Sequence, residues 1–238
     1  AAECPMTKLS DTEIAVYRRD GYVVPSFRLA TDKVDRLRAT LDKLIADNPD
    51  VRPEKLVSAH VDGDNGEGVK GSTDFLRLAQ DPDIIDLVAG VLGPDVILWG
   101  CHVFCKPGGT GYETPWHQDG HYWPIRPLAT CTAWVALDRS DKENGCLRVI
   151  PRSHTGKQLH EHLHEDRTDL VLNQRMAAGA FDEADAVDLE LEPGQMSLHD
   201  VYMIHGAAAN TSPRRRAEHR RLRLASSSCG PSIALPVR

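Results

Sequence analysis

The first hundred residues place apolar side chains at the 3.6-residue period of amphipathic helices. Ser10 and Glu13 have the spacing of a capping box, which predicts a helix that begins at this point and ends near Gly21. Apolar residues recur on one helical face across residues 31–47, and Asp81-Pro82 is a typical helix start. The N-terminal part is therefore predicted to be mainly helical.

From residue 96 onward the pattern changes to short β-rich runs that are broken by Gly, Pro and Asn-Gly clusters. The runs are VILWGCHVFC, TCTAWVAL, CLRVI, VDLELE and QMSLHDVYMIH. Several such strands in succession predict a sandwich or barrel with helices packed on the outside. We predict a mainly β protein with flanking helices, organised as one domain over residues 1–238. Its helical part spans about 10–94 and its β core about 95–226.

Composition narrows the function. The 238 residues contain no apolar run near the roughly 18 needed to cross a bilayer, so no membrane role is expected. Lys and Arg total 28 against 35 acids, and a net charge of −7 argues against broad binding of nucleic acid. The six cysteines show no C-x-x-C pair, and the N-terminus lacks the layout of a secretory signal. These features predict a cytoplasmic protein with reduced thiols.

Candidate chemistry is concentrated in TPWHQDGHYWPIRP, residues 114–127. Side chains two apart in an extended chain point the same way, so His117 and Asp119 would project from one face. His205 follows 88 residues after His117, at the end of a predicted strand, and a jelly roll could bring it beside this pair. Two histidines and one carboxylate leave three coordination positions open, as a non-haem iron oxygenase requires.

Two other histidines offer alternative ligand sets. His121 lies on the same projected face as His117 and Asp119, and these three residues could form the zinc site of a hydrolase. His199 precedes His205 by six residues and could replace it as the third ligand. We rank His205 first because a glycine follows it directly.

The segments WHQDGHYWPIRP, AWVALDRSDKENGCLRVIPRSH and GQMSLHDVYMIHGAAANTSPRRR together carry a family resemblance. The sequence resembles the phytanoyl-CoA dioxygenase family of Fe(II)- and 2-oxoglutarate-dependent oxygenases over most of residues 10–217. This resemblance implies a double-stranded β-helix (jelly roll, cupin-like) core that is buttressed by the N-terminal helices. It also implies Fe(II) as the metal, with 2-oxoglutarate and O2 as co-substrates. The implied iron ligands are His117, Asp119 and His205.

The resemblance also implies a co-substrate pocket. Arg216, eleven residues after His205, stands where the family anchors the far carboxylate of 2-oxoglutarate, and a guanidinium fork matches a carboxylate. Trp134 stands where the family places an aromatic residue beside the co-substrate, and His102 stands on a strand that commonly lines the same pocket in the family. Charged residues follow Arg216 where the family has an apolar strand, so a shifted register would transfer the role to Arg221. The serine that often follows the distal histidine by two residues is absent.

The reaction that the resemblance implies is hydroxylation of a small organic substrate, with release of succinate and CO2. Related halogenases carry a small residue in place of the carboxylate, so Asp119 predicts oxidation rather than halogenation. A non-catalytic jelly-roll protein that binds a small molecule is the alternative suggested by the atypical C-terminal strand. The candidate substrate residues are His121, Tyr122, Trp123 and Arg126.

Overall fold

The computed structural model describes residues 7–64 and 69–225. Its helices are α1 (Asp11–Asp20), α2 (Thr31–Asp47), α3 (Thr73–Ala79) and α4 (Pro82–Leu92). Helix α1 begins as predicted, because the Ser10 hydroxyl accepts a hydrogen bond from the Glu13 N–H and the Glu13 carboxylate accepts one from the Ser10 N–H. Asp81 caps α4 in a similar way. The short helix α3 is not among the elements that the sequence predicts.

Thirteen strands lie in the described part of the chain. They are β1 (Tyr22–Val23), β2 (Gly63–Asp64), β3 (Lys70–Gly71), β4 (Val96–Lys106), β5 (Thr114–Gln118), β6 (Thr130–Ala136), β7 (Leu147–Val149), β8 (His162–His164), β9 (Gln174–Met176), β10 (Val187–Leu189), β11 (Met196–Asp200), β12 (Ile204–Ala207) and β13 (Arg216–Ala225). Sheet I has the order β1-β11-β6-β13-β4, and sheet II has the order β10-β7-β12-β5. All their pairings are antiparallel, and two small hairpins, β2–β3 and β8–β9, complete the set.

The two sheets and the helices form layers with separate cores. Alternate residues of β6 point to opposite sides, so Ala133 and Val135 pack against the helices while Trp134 and Ala136 face sheet II. The helices therefore cover the outer face of sheet I, and the space between the sheets is free to hold a site. This arrangement confirms the predicted jelly roll with helical buttressing.

One predicted run proves to be two strands. The run QMSLHDVYMIH divides into β11 of sheet I and β12 of sheet II. The division occurs at Asp200, whose carboxylate accepts a hydrogen bond from the Tyr202 N–H and whose carbonyl accepts one from the Met203 N–H. The turn therefore places His199 and His205 on opposite sheets.

The charged C-terminal segment forms a regular strand. β13 pairs with β4 on one side and with β6 on the other, so its backbone polar groups have partners on both edges. Arg216 is the first residue of β13, which is the position expected if the register is not shifted toward Arg221. Arg221 lies further along β13, but its side chain falls outside the described residues.

Two general expectations concern membranes and thiols. Among the residues described, no helix combines the length and the apolar character needed to span a bilayer. Cys101, Cys105, Cys131 and Cys146 are buried free cysteines. Burial raises the pKa of the Cys131 thiol to about 12, which keeps it protonated and unreactive.

His219 provides a pH-dependent element of the helix-facing core. Its ring is fully buried and stacks on Phe75 with 5.4 Å between ring centroids, and neither ring nitrogen has a hydrogen-bond partner. Burial, together with the nearby His102 and His60, lowers its pKa to about 3. Between pH 6.5 and 3 only the unfolded chain binds this proton, so stability falls as the pH falls.

We therefore expect His219→Phe to remove part of the acid sensitivity. For each pH unit below the ordinary pKa of histidine, a depressed pKa in the folded state lowers the free energy of unfolding by up to about 1.4 kcal/mol. Denaturant unfolding of both proteins at pH 7 and pH 4.5 should show the variant gaining about 2 kcal/mol on the wild type at the lower pH. If the two proteins differed in free energy of unfolding by the same amount at both pH values, His219 would take up its proton in the folded state.

Candidate metal centre

Three side chains that the sequence separates converge between the sheets. His117, Asp119 and His205 are all buried, and each offers a ligand atom within 4.8 Å of the other two. The Nε2 atoms of both histidines lie 3.7 Å from the same oxygen, Oδ1 of Asp119. Across residues 7–64 and 69–225, no other group of three or more His, Cys, Asp or Glu residues has this spacing.

Backbone carbonyls orient both imidazoles. Nδ1 of His117 lies 2.8 Å from the Pro115 carbonyl oxygen, and Nδ1 of His205 lies 2.9 Å from that of Met203. A carbonyl only accepts, so each Nδ1 carries the proton and donates it to the carbonyl. Each Nε2 therefore keeps a lone pair and faces Asp119, which is how histidine presents itself to a metal.

The register of sheet II creates the pair of imidazoles. His205 on β12 is directly opposite His117 on β5, and the two ring centroids are 4.2 Å apart. Gly206 permits the close approach of these strands, because a Cβ at this position would lie 3.1 Å from the Thr114 carbonyl oxygen. The glycine that ranks His205 above His199 in the sequence therefore has a structural reason.

Neighbouring side chains hold the ligand-bearing segments together. The buried Gln118 amide donates hydrogen bonds to the carbonyls of Gln158 and Tyr202. Because Tyr202 belongs to the turn before β12, this side chain connects the segment of His117 and Asp119 to that of His205. Asp119 itself accepts a hydrogen bond from the Thr132 hydroxyl at 3.2 Å.

The two alternative histidines have different positions. His199 is fully buried, and its Nε2 lies 3.8 Å from the other oxygen of Asp119, outside the group of three. His121 is exposed at the end of a 3-10 turn and stacks on His162 with 4.0 Å between centroids. The described structure therefore does not place His121 in a metal-binding group with His117 and Asp119.

A narrow cavity connects the three-residue group to Arg216. The guanidinium is 1% exposed and reaches the Gly145 carbonyl with Nη1 and the Glu218 carboxylate with Nη2. Its Cζ lies 6.0 Å from the Trp134 ring, which stacks on Phe104. The cavity wall includes Phe104, Thr114, His117, Trp134, His205 and Arg216.

Other predicted pocket residues lie nearby or at the surface. His102 accepts a long hydrogen bond of 3.4 Å from the Ser58 N–H, and Phe104, two residues later on β4, lines the cavity. Tyr122 is partly exposed and packs edge-on against His117, with 6.1 Å between ring centroids. Trp123 is half-buried and Arg126 is exposed in the same segment.

Sequence reasoning missed two buried charged residues beside Arg216. Lys106 lies opposite Arg216 in the register of β4 and β13, and its ammonium donates to the carbonyls of Ala207 and Ala208. Burial, reinforced by the positive charge of Arg216, holds the pKa of Lys106 well below its ordinary value. Glu218 is completely buried beside Arg216. The signal that could have identified Lys106 and Glu218 is a charged residue within a strand that lies between two layers.

The family model described as Phytanoyl-CoA dioxygenase (PhyH) matches residues 17–217. The chain belongs to the phytanoyl-CoA dioxygenase family. The peroxisomal phytanoyl-CoA dioxygenase of Bos taurus is 30% identical over 178 residues, which cover 72% of this chain and 50% of that protein. The ectoine dioxygenase of Sphingopyxis alaskensis is 26% identical over 231 residues, covering 88% and 74%. This member of the family spans only about half of the bovine relative.

Solved structures show the same fold with several chemistries. The non-heme monooxygenase ThoJ in its apo form has a TM-score of 0.74 and 25% identity, covering 93% of this chain and 82% of ThoJ. The non-heme alpha-ketoglutarate-dependent epimerase SnoN from nogalamycin biosynthesis has a TM-score of 0.69 and 25% identity, covering 90% and 82%. Both neighbours share the fold of this member of the phytanoyl-CoA dioxygenase family.

Proposed function

We propose that this chain is an Fe(II)- and 2-oxoglutarate-dependent dioxygenase that hydroxylates a small organic substrate. One observation carries the proposal: two imidazoles of the three-residue group and the buried guanidinium of Arg216 bound the same cavity. A keto diacid needs a metal at one end and a cation at the other, and the chain offers candidate metal ligands at one end of the cavity and a guanidinium at the other. Membership of the family supports the same class of activity.

The donor set fits iron. His117, Asp119 and His205 would hold Fe(II) through two imidazole nitrogens and one carboxylate oxygen, a set that leaves coordination positions open for other ligands. The Nδ1–carbonyl hydrogen bonds fix the tautomer that such binding needs. When bound, Fe(II) with 2-oxoglutarate and O2 supplies the oxidation of a C–H bond of the substrate, with succinate and CO2 as co-products.

The residues that line the cavity suit the chemistry of the co-substrate. Arg216 presents a guanidinium whose Nε is buried without a hydrogen-bond partner, a group that a carboxylate would satisfy. Trp134 and Phe104 form an aromatic wall beside it, which keeps water away and strengthens the ion pair. Arg216 would therefore bind and orient the distal carboxylate, while the aromatic pair excludes solvent.

The outer side of the centre suits a substrate. Tyr122 packs against His117 and is 37% exposed, so its ring reaches from the ligand to the surface. His121, Trp123 and Arg126 belong to the same segment, which we propose as the substrate-binding edge. Aromatic bodies with polar ends are well suited to position a small organic molecule.

Titration under anaerobic conditions tests this function. Adding Fe(II) and then 2-oxoglutarate to the purified protein should produce the weak visible charge-transfer band of a keto acid chelated to iron, and admission of O2 should release succinate. A non-catalytic binding protein would give neither signal, and the absence of both would refute the proposal. Zn(II) in place of Fe(II) is the control and should give no band.

A further inference from the structure

A second buried carboxylate shares the interior with the metal centre. Glu218 is two residues after Arg216 on β13, so both side chains point to the same face of sheet I. Its partners in the register are Phe104 on β4 and Ala136 on β6, and Phe104 is part of the cavity wall. Glu218 therefore lies on the interior face of sheet I, next to two residues of the cavity wall, rather than in the helix-facing core.

The Glu218 carboxylate already contacts the guanidinium that the co-substrate needs. Oε2 of Glu218 lies 3.1 Å from Nη2 of Arg216, and the two side chains are 0% and 1% exposed. Neither oxygen of the Glu218 carboxylate makes a well-oriented hydrogen bond, and Nε of Arg216 makes none either. The pair is therefore a single ion contact and not a bidentate fork.

Glu218 is also the charge that balances Arg216. Lys106, which is also buried, donates to the carbonyls of Ala207 and Ala208 and supplies no negative charge to Arg216. A buried guanidinium without an anion is strongly unfavourable, so the Glu218 carboxylate stabilises the strand in the absence of a ligand. A second carboxylate that reaches Arg216 therefore competes with Glu218 for the same positive charge.

We propose that Glu218 is an internal competitor of the co-substrate, which holds Arg216 until the distal carboxylate of 2-oxoglutarate replaces it. This inference rests on the proposed function. One ion pair is exchanged for another and Glu218 is left with its charge uncompensated, so the distal carboxylate contributes less net affinity than it would at an unpaired guanidinium. The residue thereby weakens 2-oxoglutarate binding and reduces the preference for keto acids that carry a second carboxylate.

Glu218→Gln is the direct test, because it keeps the shape of the side chain and removes its charge. Two probes are titrated anaerobically into the Fe(II)-loaded full chain: 2-oxoglutarate and 2-oxopentanoate, a keto acid without the distal carboxylate. Their dissociation constants come from the charge-transfer band and, independently, from the thermal shift of the protein. We expect Glu218→Gln to bind 2-oxoglutarate at least 10-fold more tightly and 2-oxopentanoate within twofold of the wild type.

The matched control is Glu54→Gln, since Glu54 is also a buried glutamate paired with an arginine, but its partner is Arg52 rather than Arg216. This control should change neither constant by more than twofold. Glu218→Ala repeats the test if the glutamine variant does not fold, as judged by circular dichroism. Equal tightening of both keto acids, or no tightening of either, would overturn the inference while the wild-type band still supports the proposed function. Absence of the band and of succinate with the wild type would reject both.

Discussion

Replacing His205 with alanine is expected to abolish succinate release and to lower the affinity for Fe(II) by at least about 100-fold. Changes in groups that only orient a ligand cost roughly 10–100-fold in metal affinity, and loss of a ligand atom should exceed that range. The expectation follows from the position of Nε2 of His205, which lies 3.7 Å from Oδ1 of Asp119 and faces the same point as His117. Anaerobic Fe(II) titration and a succinate assay measure the two effects.

His199→Gln is the control for this prediction. His199 is as buried as His205 and lies 3.8 Å from Asp119, but its ligand atom is outside the group of three. We expect the glutamine variant to keep the charge-transfer band and to lose no more than about 100-fold in Fe(II) affinity. If His199→Gln removed the band while His205→Ala retained it, the assignment of the third ligand would have to be exchanged.

Arg216→Gln is expected to weaken 2-oxoglutarate binding by at least about 30-fold, with little change in Fe(II) affinity. Truncating one partner of a buried, hydrogen-bonded charge pair costs about 2–5 kcal/mol, which corresponds to this factor or more. Because the single variant leaves Glu218 buried without a counter-charge, it should be compared with the double variant Arg216→Gln/Glu218→Gln, which restores the balance. The band measured at increasing 2-oxoglutarate gives the dissociation constant of each protein.

Arg148→Gln is the matched control, since this arginine pairs with Glu183 outside the cavity. It should leave 2-oxoglutarate affinity within twofold of the wild type. The prediction also decides between the two candidate anchors. If Arg216→Gln and the double variant both bind 2-oxoglutarate as the wild type does, the anchor is another cation, and Arg221 becomes the residue to replace next.

Local rules were sufficient for the helices and for most strands. The capping residues Ser10 and Asp81 act through hydrogen bonds within three residues, so a short stretch of sequence contains the whole cause. The strands of the β core likewise follow from apolar runs between turn residues. Helix α3 was not predicted because its seven residues are too few to show a clear helical periodicity within a polar segment.

The candidate metal group was predictable for a different reason. His117 and Asp119 are two residues apart, and the family resemblance supplied the third member from a distant strand. Spacing alone left His121 and His199 as alternatives, because it does not contain the cross-strand register. Only the pairing of His205 with His117 separates the candidates in space.

The charged interior of β13 was the least predictable part. A run of charged residues normally indicates a solvated surface, and here Arg216, Glu218 and His219 are all buried. The cause is tertiary, since pairing on both edges of β13 holds the strand between two layers whatever its side chains are. The opposite charges of Arg216 and Glu218 reduce the free-energy cost of burying each side chain. A short stretch of sequence does not show that two charged residues will pair in this way.

The opposed positions of His117 and His205 mean that a metal ion at this candidate centre would also link two distant parts of the chain. The two residues are 88 positions apart. An unfolded chain would have to close a long loop to bind one ion through both of them, at a large cost in conformational entropy, whereas the folded chain already holds them together. Binding would therefore be linked to folding, and free metal at 100 times its dissociation constant would add about 2.7 kcal/mol to the free energy of unfolding. Chelators should consequently shift the melting temperature, and residues 118–204 should become more accessible to proteases as iron is withdrawn.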